Sequence, residues 1–280
     1  MPDDVETVTI ASDGLGLYGR LRHHRDTAPT VVLLCGLGFH TFEYEPLAEH
    51  LAAAGLNSLS FDYRGHGHSP GPRGRWTLAE LVADCRHTID FLDRVHPGPA
   101  VLFGNSLGAM VAILAATDDG RPLAVAAANA PARAGDFLLT PTRRLLYGLL
   151  RRAEPVLRPR ISVNHFIPYE HLIGDPAWLS TIRHDPLIED SRRFSARTYR
   201  DLLETWDGPQ AVRALHKPVL VLQGRNDQMQ PPDQSRLIMD AANEPKRFEL
   251  LDTGHLPHLE DPATVARLLA EWLSTISRSP

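Results

Sequence analysis

A serine between two glycines, in Gly104-Asn105-Ser106-Leu107-Gly108, constrains this chain more than any other feature. It follows a short apolar run, Ala100-Val101-Leu102-Phe103, and precedes a helix-like run from Ala109 to Ala116. A strand that becomes a helix over so few residues must pass through a sharp turn, with the serine at its apex and the hydroxyl aimed outward. Side chains two residues to either side would collide there, and glycine removes them. An ordinary Gly-rich turn also fits the pentapeptide alone. The strand before it and the helix after it supply the geometry a nucleophile needs.

The rest of the chain keeps this alternation. Val5 to Ile10 and Leu15 to Leu21, joined by Ser12-Asp13-Gly14, alternate apolar and polar residues and predict an opening β-hairpin. Thr30 to Cys35 is a continuous apolar run with β-branched residues, the mark of a strand buried on both faces. A helix is predicted from Tyr44 to Ala54, ending at Gly55, and then a strand over Leu56 to Phe61. Thr77 to Val95 reads as a longer helix, N-capped by Thr77 with Glu80 three residues on. Leu123 to Ala128 is the next strand. From Pro218 to Leu222 the alternation resumes, followed by a helix near Pro232 to Ala242, a strand over Arg247 to Leu251 and a closing helix over Pro262 to Ile276. Strands separated by helices predict an α/β fold with a mostly parallel central sheet flanked by helices. Between Ala132 and Leu215 the rhythm breaks into proline-interrupted helical patches, with no strand predicted. Residues 1–131 and 216–280 therefore read as one core, and 132–215 as a helical cap inserted over the sheet's C-terminal edge.

A chain of 280 residues, 43% hydrophobic and 22% charged, is long enough for one large α/β domain with such an insertion. Its net charge of −5 offers no basic surface to nucleic acid. The start, Met1-Pro2-Asp3-Asp4, lacks the basic and apolar stretches of a secretory signal, and no apolar run is long enough to span a bilayer. Cys35, at a strand end, and Cys85, in a helix, read as two buried thiols rather than a disulfide, which fits a cytoplasmic location. Among 14 histidines, His66-x-His68 and His255-x-x-His258 have metal-like spacing. Neither pair has carboxylates on a regular face beside it, so no metal is expected.

A serine hydroxyl attacks only once a base removes its proton, and the base needs an acid to hold its tautomer. In this setting the partners follow in the order Ser, Asp or Glu, His. Asp227 lies just past the strand ending at Leu222, in Gln223-Gly224-Arg225-Asn226-Asp227, and His255 just past the next strand, in Asp252-Thr253-Gly254-His255. Both are loops at strand ends, where sites form in open α/β sheets. Asp233 and Asp240 are weaker acids because they fall within the following helix. His258 is expected to pack beside His255. The developing oxyanion needs two backbone donors; the amides of Leu107 and of Leu37, in Cys35-Gly36-Leu37-Gly38, are the candidates.

These residues also carry a resemblance. The chain is similar to the α/β-hydrolases, and within them resembles the monoacylglycerol lipase and lysophospholipase-like serine hydrolases. Cys35-Gly36-Leu37-Gly38 resembles their H-G-x-G loop. Tyr44-Glu45-Pro46-Leu47-Ala48 and Phe61-Asp62-Tyr63-Arg64-Gly65-His66-Gly67-His68-Ser69-Pro70-Gly71 resemble the next two segments. Asp185-Pro186-Leu187 and Gly254-His255-Leu256-Pro257-His258-Leu259-Glu260 are similar to the segments in the cap and around the histidine. Two departures stand out. Cys35 replaces the group's usual histidine, and Asn105-Ser106-Leu107-Gly108-Ala109 replaces its histidine-serine-methionine-glycine-glycine. Neither position is a catalytic partner, so the departures weaken the lipid assignment and leave hydrolysis intact. Within the segment from Asp62 to Ser69, Asp62 and Arg64 are expected to form a structural ion pair around a tight turn.

In the cap, Thr142 to Ala153 places Leu145, Leu146, Leu149 and Leu150 on one helical stripe, with Arg143, Arg144, Arg151 and Arg152 at its ends and Arg158 and Arg160 beyond. The leucines are expected to roof an acyl pocket, with Leu145 and Leu149 touching substrate. The other reading is a basic amphipathic helix that makes weak contact with anionic lipid or admits an acidic substrate. Phe137, Phe166, Trp178 and Trp206 are equally pocket or core residues.

The sequence therefore predicts a cofactor-free serine hydrolase with Ser106 as nucleophile, His255 as base and Asp227 as its orienting acid, acting on a small-molecule carboxylic ester. An aspartate in place of Ser106 would have pointed to epoxide or haloalkane chemistry. Thioesters, lactones and N-terminal peptide bonds stay open, because one triad serves all acyl transfers. So do a triad-bearing binding protein and a cofactor-free oxidoreductase on the same scaffold. The sequence leaves oligomeric state undetermined.

Overall fold

The computed structural model describes residues 5–25, 28–133, 135, 142, 145, 148, 149, 152, 160–165 and 167–276. The hairpin forms as expected: β1 (Val5–Ser12) pairs antiparallel with β2 (Leu15–Arg22). Six further strands complete the sheet, β3 (Thr30–Leu34), β4 (Asn57–Phe61), β5 (Ala100–Asn105), β6 (Pro122–Ala128), β9 (Val219–Gly224) and β10 (Lys246–Leu251), in the order β1-β2-β4-β3-β5-β6-β9-β10. β2 meets β4 antiparallel, and every pairing from β4 to β10 is parallel.

The central strands show why continuous apolar runs are legible. Val31 to Leu34, Val101 to Phe103 and Val219 to Leu222 are completely buried, as a parallel sheet covered on both faces requires. Helices Glu45–Ala53 and Pro262–Ile276 pack on one another, and Leu78–Val95 packs on Leu107–Thr117. The capping box is present. The Glu80 amide donates to Thr77 Oγ1 at 3.3 Å, and the Thr77 amide donates to Glu80 Oε2 at 2.7 Å. Both cysteines are free and buried, and burial raises both thiols.

Between β6 and β9 the described chain carries helices Pro176–His184, Pro186–Ser191, Ala196–Thr205 and Gly208–Ala214. Asp175, Asp185, Ser195 and Asp207 cap them with side-chain oxygens that accept first-turn amides. The expectation of no strand here needs correction. β7 (Arg160–Ser162) pairs antiparallel with β8 (Arg193–Ser195), with Ile161 opposite Phe194. Three-residue strands with one apolar side chain each are too short to show an alternation, so the sequence gives them no signal.

The expected Asp62–Arg64 pair also needs correction. Asp62 accepts the amides of Thr41 and His68, each at 2.7 Å, so local backbone donors already satisfy it. Arg64 reaches the longer helix instead: Nε lies 3.0 Å from both Asp84 oxygens, and Nη2 bonds Asp84 and Asp13. In the same segment His66 is completely buried, and burial pushes its imidazole down to about 4. The unfolded chain binds that proton near pH 6.5 and the folded chain only near 4. Stability contributed by neutral His66 is thus fully present above pH 6.5 and lost as pH falls towards 4, by on the order of 3 kcal/mol. Urea unfolding of wild type and His66→Gln at pH 7 and pH 4.5 checks this, and the variant should show the smaller loss between the two.

Candidate active site

Ser106 lies where β5 passes into helix Leu107–Thr117, with φ 55° and ψ −113°. A non-glycine residue keeps such a backbone only when its surroundings hold it. Here the Ser106 amide donates to the Ala128 carbonyl at 2.9 Å, and its carbonyl accepts from Ala109 and Met110. The flanking glycines serve close approach rather than positive φ. A Cβ on Gly108 would run into the Leu34 carbonyl of β3, and one on Gly104 into the Gly108 backbone.

Asp227 sits in the loop after β9, and its two oxygens have separate tasks. Oδ1 accepts the amides of Met229 and Gln230 at 2.7 and 2.9 Å, while Oδ2 lies 2.7 Å from His255 Nδ1. Both side chains are buried. The amides fix the carboxylate, the carboxylate fixes the ring, and Nε2 is left as the nitrogen available for proton transfer. His255 and Ser106 line the same cavity.

That cavity encloses about 640 Å³, counting its open mouth. Leu37 and Leu107 both form part of its wall, beside apolar residues including Phe39, Met110, Leu202 and Leu256. A buried pair holds the Leu37 loop from behind. The Gly36 amide donates to Glu43 Oε1 at 2.8 Å, and Glu43 Oε2 lies 3.2 Å from His258 Nε2. His258 is therefore a loop support paired with Glu43 and stacked on Tyr44 at 4.6 Å, where simple packing beside His255 was expected.

One residue of the site left no mark in the sequence reading. Asn129, just past β6 with φ 44°, accepts the Gly224 amide through Oδ1 at 2.8 Å and donates through Nδ2 to the His255 carbonyl at 2.8 Å. The same nitrogen lies 3.4 Å from Asn105 Oδ1. Asn129 therefore ties together the strand bearing the serine, the strand bearing the aspartate and the histidine loop. Its sequence signal is faint: an asparagine after an alanine-rich strand, in a position that tolerates left-handed backbone.

Other expected residues lie elsewhere. Leu145 and Leu149 are helical and 66% and 54% exposed, and neither is among the described residues that line the cavity. Trp206 bonds the Pro131 carbonyl through Nε1 at 2.7 Å, and Trp178 packs against Phe42. Asp233 and Asp240 lie in helix Pro232–Ala241, away from the cavity wall. Phe137, Arg143, Arg144, Leu146, Leu150, Arg151, Arg158 and Phe166 lie outside the described residues. The two metal-like histidine pairs do not converge. Instead His40, Asp62 and His68 each bring one potential ligand atom within 4.8 Å of the others, although Asp62 is already engaged by amides.

Comparison with known proteins identifies the family. A family model described as serine aminopeptidase, S33 matches residues 25–261. The chain belongs to that family of α/β-hydrolases. This α/β-hydrolase is 30% identical over 221 residues to a monoacylglycerol lipase of Mycolicibacterium smegmatis, covering 77% of this chain and 76% of that one. It is also 30% identical over 277 residues to polyketide transferase ATR5 of Stachybotrys chlorohalonatus, covering 91% and 90%. The crystal structure of a Paleococcus ferrophilus monoacylglycerol lipase matches with a TM-score of 0.77 at 25% identity, over 93% of this chain and 99% of that one. The chain is accordingly an enzyme of the hydrolase type, resembling the monoacylglycerol lipases. Among the described residues, no helix of this α/β-hydrolase is long and apolar enough to cross a membrane.

Asn129→Ala removes the partner of a buried amide and a buried carbonyl in an α/β-hydrolase core. It should lower the free energy of unfolding by about 2–4 kcal/mol, read by urea denaturation. A change below about 0.5 kcal/mol would remove its role as a tie.

Proposed function

We infer that this α/β-hydrolase cleaves a carboxylic ester through Ser106, His255 and Asp227. One observation carries the reading: a strained serine and a carboxylate-anchored, buried histidine share one cavity wall. Ser106 attacks the ester carbonyl while His255 Nε2 accepts its proton. The same imidazolium, held by Asp227, then protonates the leaving alcohol, and water releases the acyl group by the reverse sequence. The amides of Leu37 and Leu107 stabilise the tetrahedral oxyanion. The chemistry needs no cofactor.

The cavity wall favours an ester over the N-terminal peptide bond suggested by the family description. An aminopeptidase must receive a free ammonium group, and among the described lining residues there is no carboxylate to receive it; the one full charge there is the arginine Arg192. Apolar side chains such as Met110, Leu172 and Leu202 suit an acyl chain, and the inserted segment 132–215 acts as the cap over it. The exposure of Leu145 and Leu149 favours lipid-surface contact by their helix over a place in the acyl pocket.

Turnover of p-nitrophenyl esters from acetate to palmitate tests the reading. Ser106→Ala should lower kcat by at least about 10⁴-fold and Asp227→Asn by on the order of 10⁴-fold. Unaltered turnover in pure Ser106→Ala protein would sink the mechanism. An optimum at medium or long chains would support the lipid-like ester, whereas activity confined to acetate and propionate would point to a small substrate.

A further inference from the structure

Among the described residues, the cavity holds a buried cation without a counterion. Arg192 follows the short helix Pro186–Ser191, is only 1% exposed and forms part of the wall that also bears Ser106 and His255. Its Nε donates to Asn164 Oδ1 at 2.6 Å, Nη1 to the Leu37 carbonyl at 3.4 Å and Nη2 to the Ile167 carbonyl at 2.9 Å. All three acceptors are neutral. The rings of Tyr169 and Phe39 lie 4.7 and 6.0 Å from the guanidinium carbon. Among the described residues no carboxylate pairs with it.

The contrast with the other buried arginines is sharp. Arg64 sits against Asp84 at 2.7 Å, and Arg22 has Glu45 at 3.6 Å. A charge taken out of water without a partner is expensive, and chains normally pair it. Burial pushes the Arg192 guanidinium down to about 10, so it still carries its proton at neutral pH. Among the described residues, five N–H groups and three bonds leave one hydrogen on each terminal nitrogen without an acceptor. Two N–H groups from two terminal nitrogens form the fork that takes both oxygens of a carboxylate.

We propose that the substrate of this cavity is an ester carrying a second group, a carboxylate, and that Arg192 binds that carboxylate while Ser106 attacks the ester carbonyl. The proposal rests on the ester-hydrolase reading and narrows its substrate class. Arg192 is a specificity residue: the anion supplies the missing counterion, and the surrounding apolar wall strengthens the pair by excluding water. The carboxylate has two positions open to it, at the far end of the acyl chain or on the leaving alcohol. Arg192 also touches the loop that carries the Leu37 amide, and a Cβ on Gly38 would overlap its side chain. A purely structural brace would make the same contacts, so the test must separate bracing from anion binding.

The experiment compares kcat/KM for matched esters. On the acyl side, the mono-p-nitrophenyl ester of adipic acid is set against p-nitrophenyl hexanoate. On the alcohol side, the butyrate ester of 4-hydroxybutanoate is set against butyl butyrate. Wild type should prefer the anionic member of one pair by roughly 10- to 100-fold, and which pair shows it locates the carboxylate. Arg192→Gln should erase the preference mainly through KM, and Arg192→Lys, which keeps the charge but not the fork, should restore part of it. No preference in either pair, or equal losses on both members in Arg192→Gln, overturns the proposal while leaving the hydrolase reading standing. If wild type and Ser106→Ala are equally inert on all four esters, the hydrolase reading has failed. Calorimetric titration with adipate then decides the anion site: binding by wild type that Arg192→Gln loses supports it, and no binding by wild type overturns it.

Discussion

The place where β5 crosses close to β3 governs everything built above it. Leu34 and Gly104 are register partners in adjacent parallel strands, and Gly108 lies against the Leu34 carbonyl with no room for a side chain. That approach forces the chain to reverse at Ser106 in a left-handed conformation, and it starts helix Leu107–Thr117 beside the Cys35–Gly38 loop. The serine hydroxyl and the two proposed oxyanion amides therefore share one origin. Sheet order and glycine spacing are two expressions of the same steric limit.

Around that crossing the site is held by polar groups that face away from the cavity. Asn129 ties three strand ends, Asp227 is fixed by two amides before it meets His255, and Glu43 joins the Gly36 amide to His258. Each spends its hydrogen-bonding capacity on backbone or on another buried side chain, as a low-dielectric interior demands. The stretch between β6 and β9 is joined to the rest by bonds of the same kind, from Trp206 to Pro131, from Thr198 to the carbonyls of Gly74 and Trp76, and from His40 to Asp185 at 2.9 Å. Rigidity here is distributed over many modest bonds between distant stretches of chain.

What could be read from sequence was local. Val31 to Leu34 and Val219 to Leu222 announce buried strands because every residue is apolar, and Thr77 with Glu80 announces a helix start because both partners of the box lie within four residues. The glycine spacing around Ser106 and the loops holding Asp227 and His255 belong to the same class. What escaped was set by partners far along the chain. Nothing near Arg64 names Asp84 as its partner, nothing near His258 names Glu43, and nothing distinguishes buried Arg192 from its neighbour Arg193, which is exposed and paired with Glu189. Leu145 and Leu149 mislead for another reason. An apolar stripe shows that a helix has a face, but not what the face meets.

The Glu43–His258 contact joins residues 215 positions apart, the first behind the Leu37 loop and the second near the C-terminal helix. Its consequence concerns time as well as space. During synthesis the serine turn, its strand and most of the sheet emerge well before residue 258. Until then Glu43 lacks its partner and the loop lacks its support, while Asp227 and His255 also arrive late. A nascent chain thus carries Ser106 long before it carries the two residues proposed to activate it.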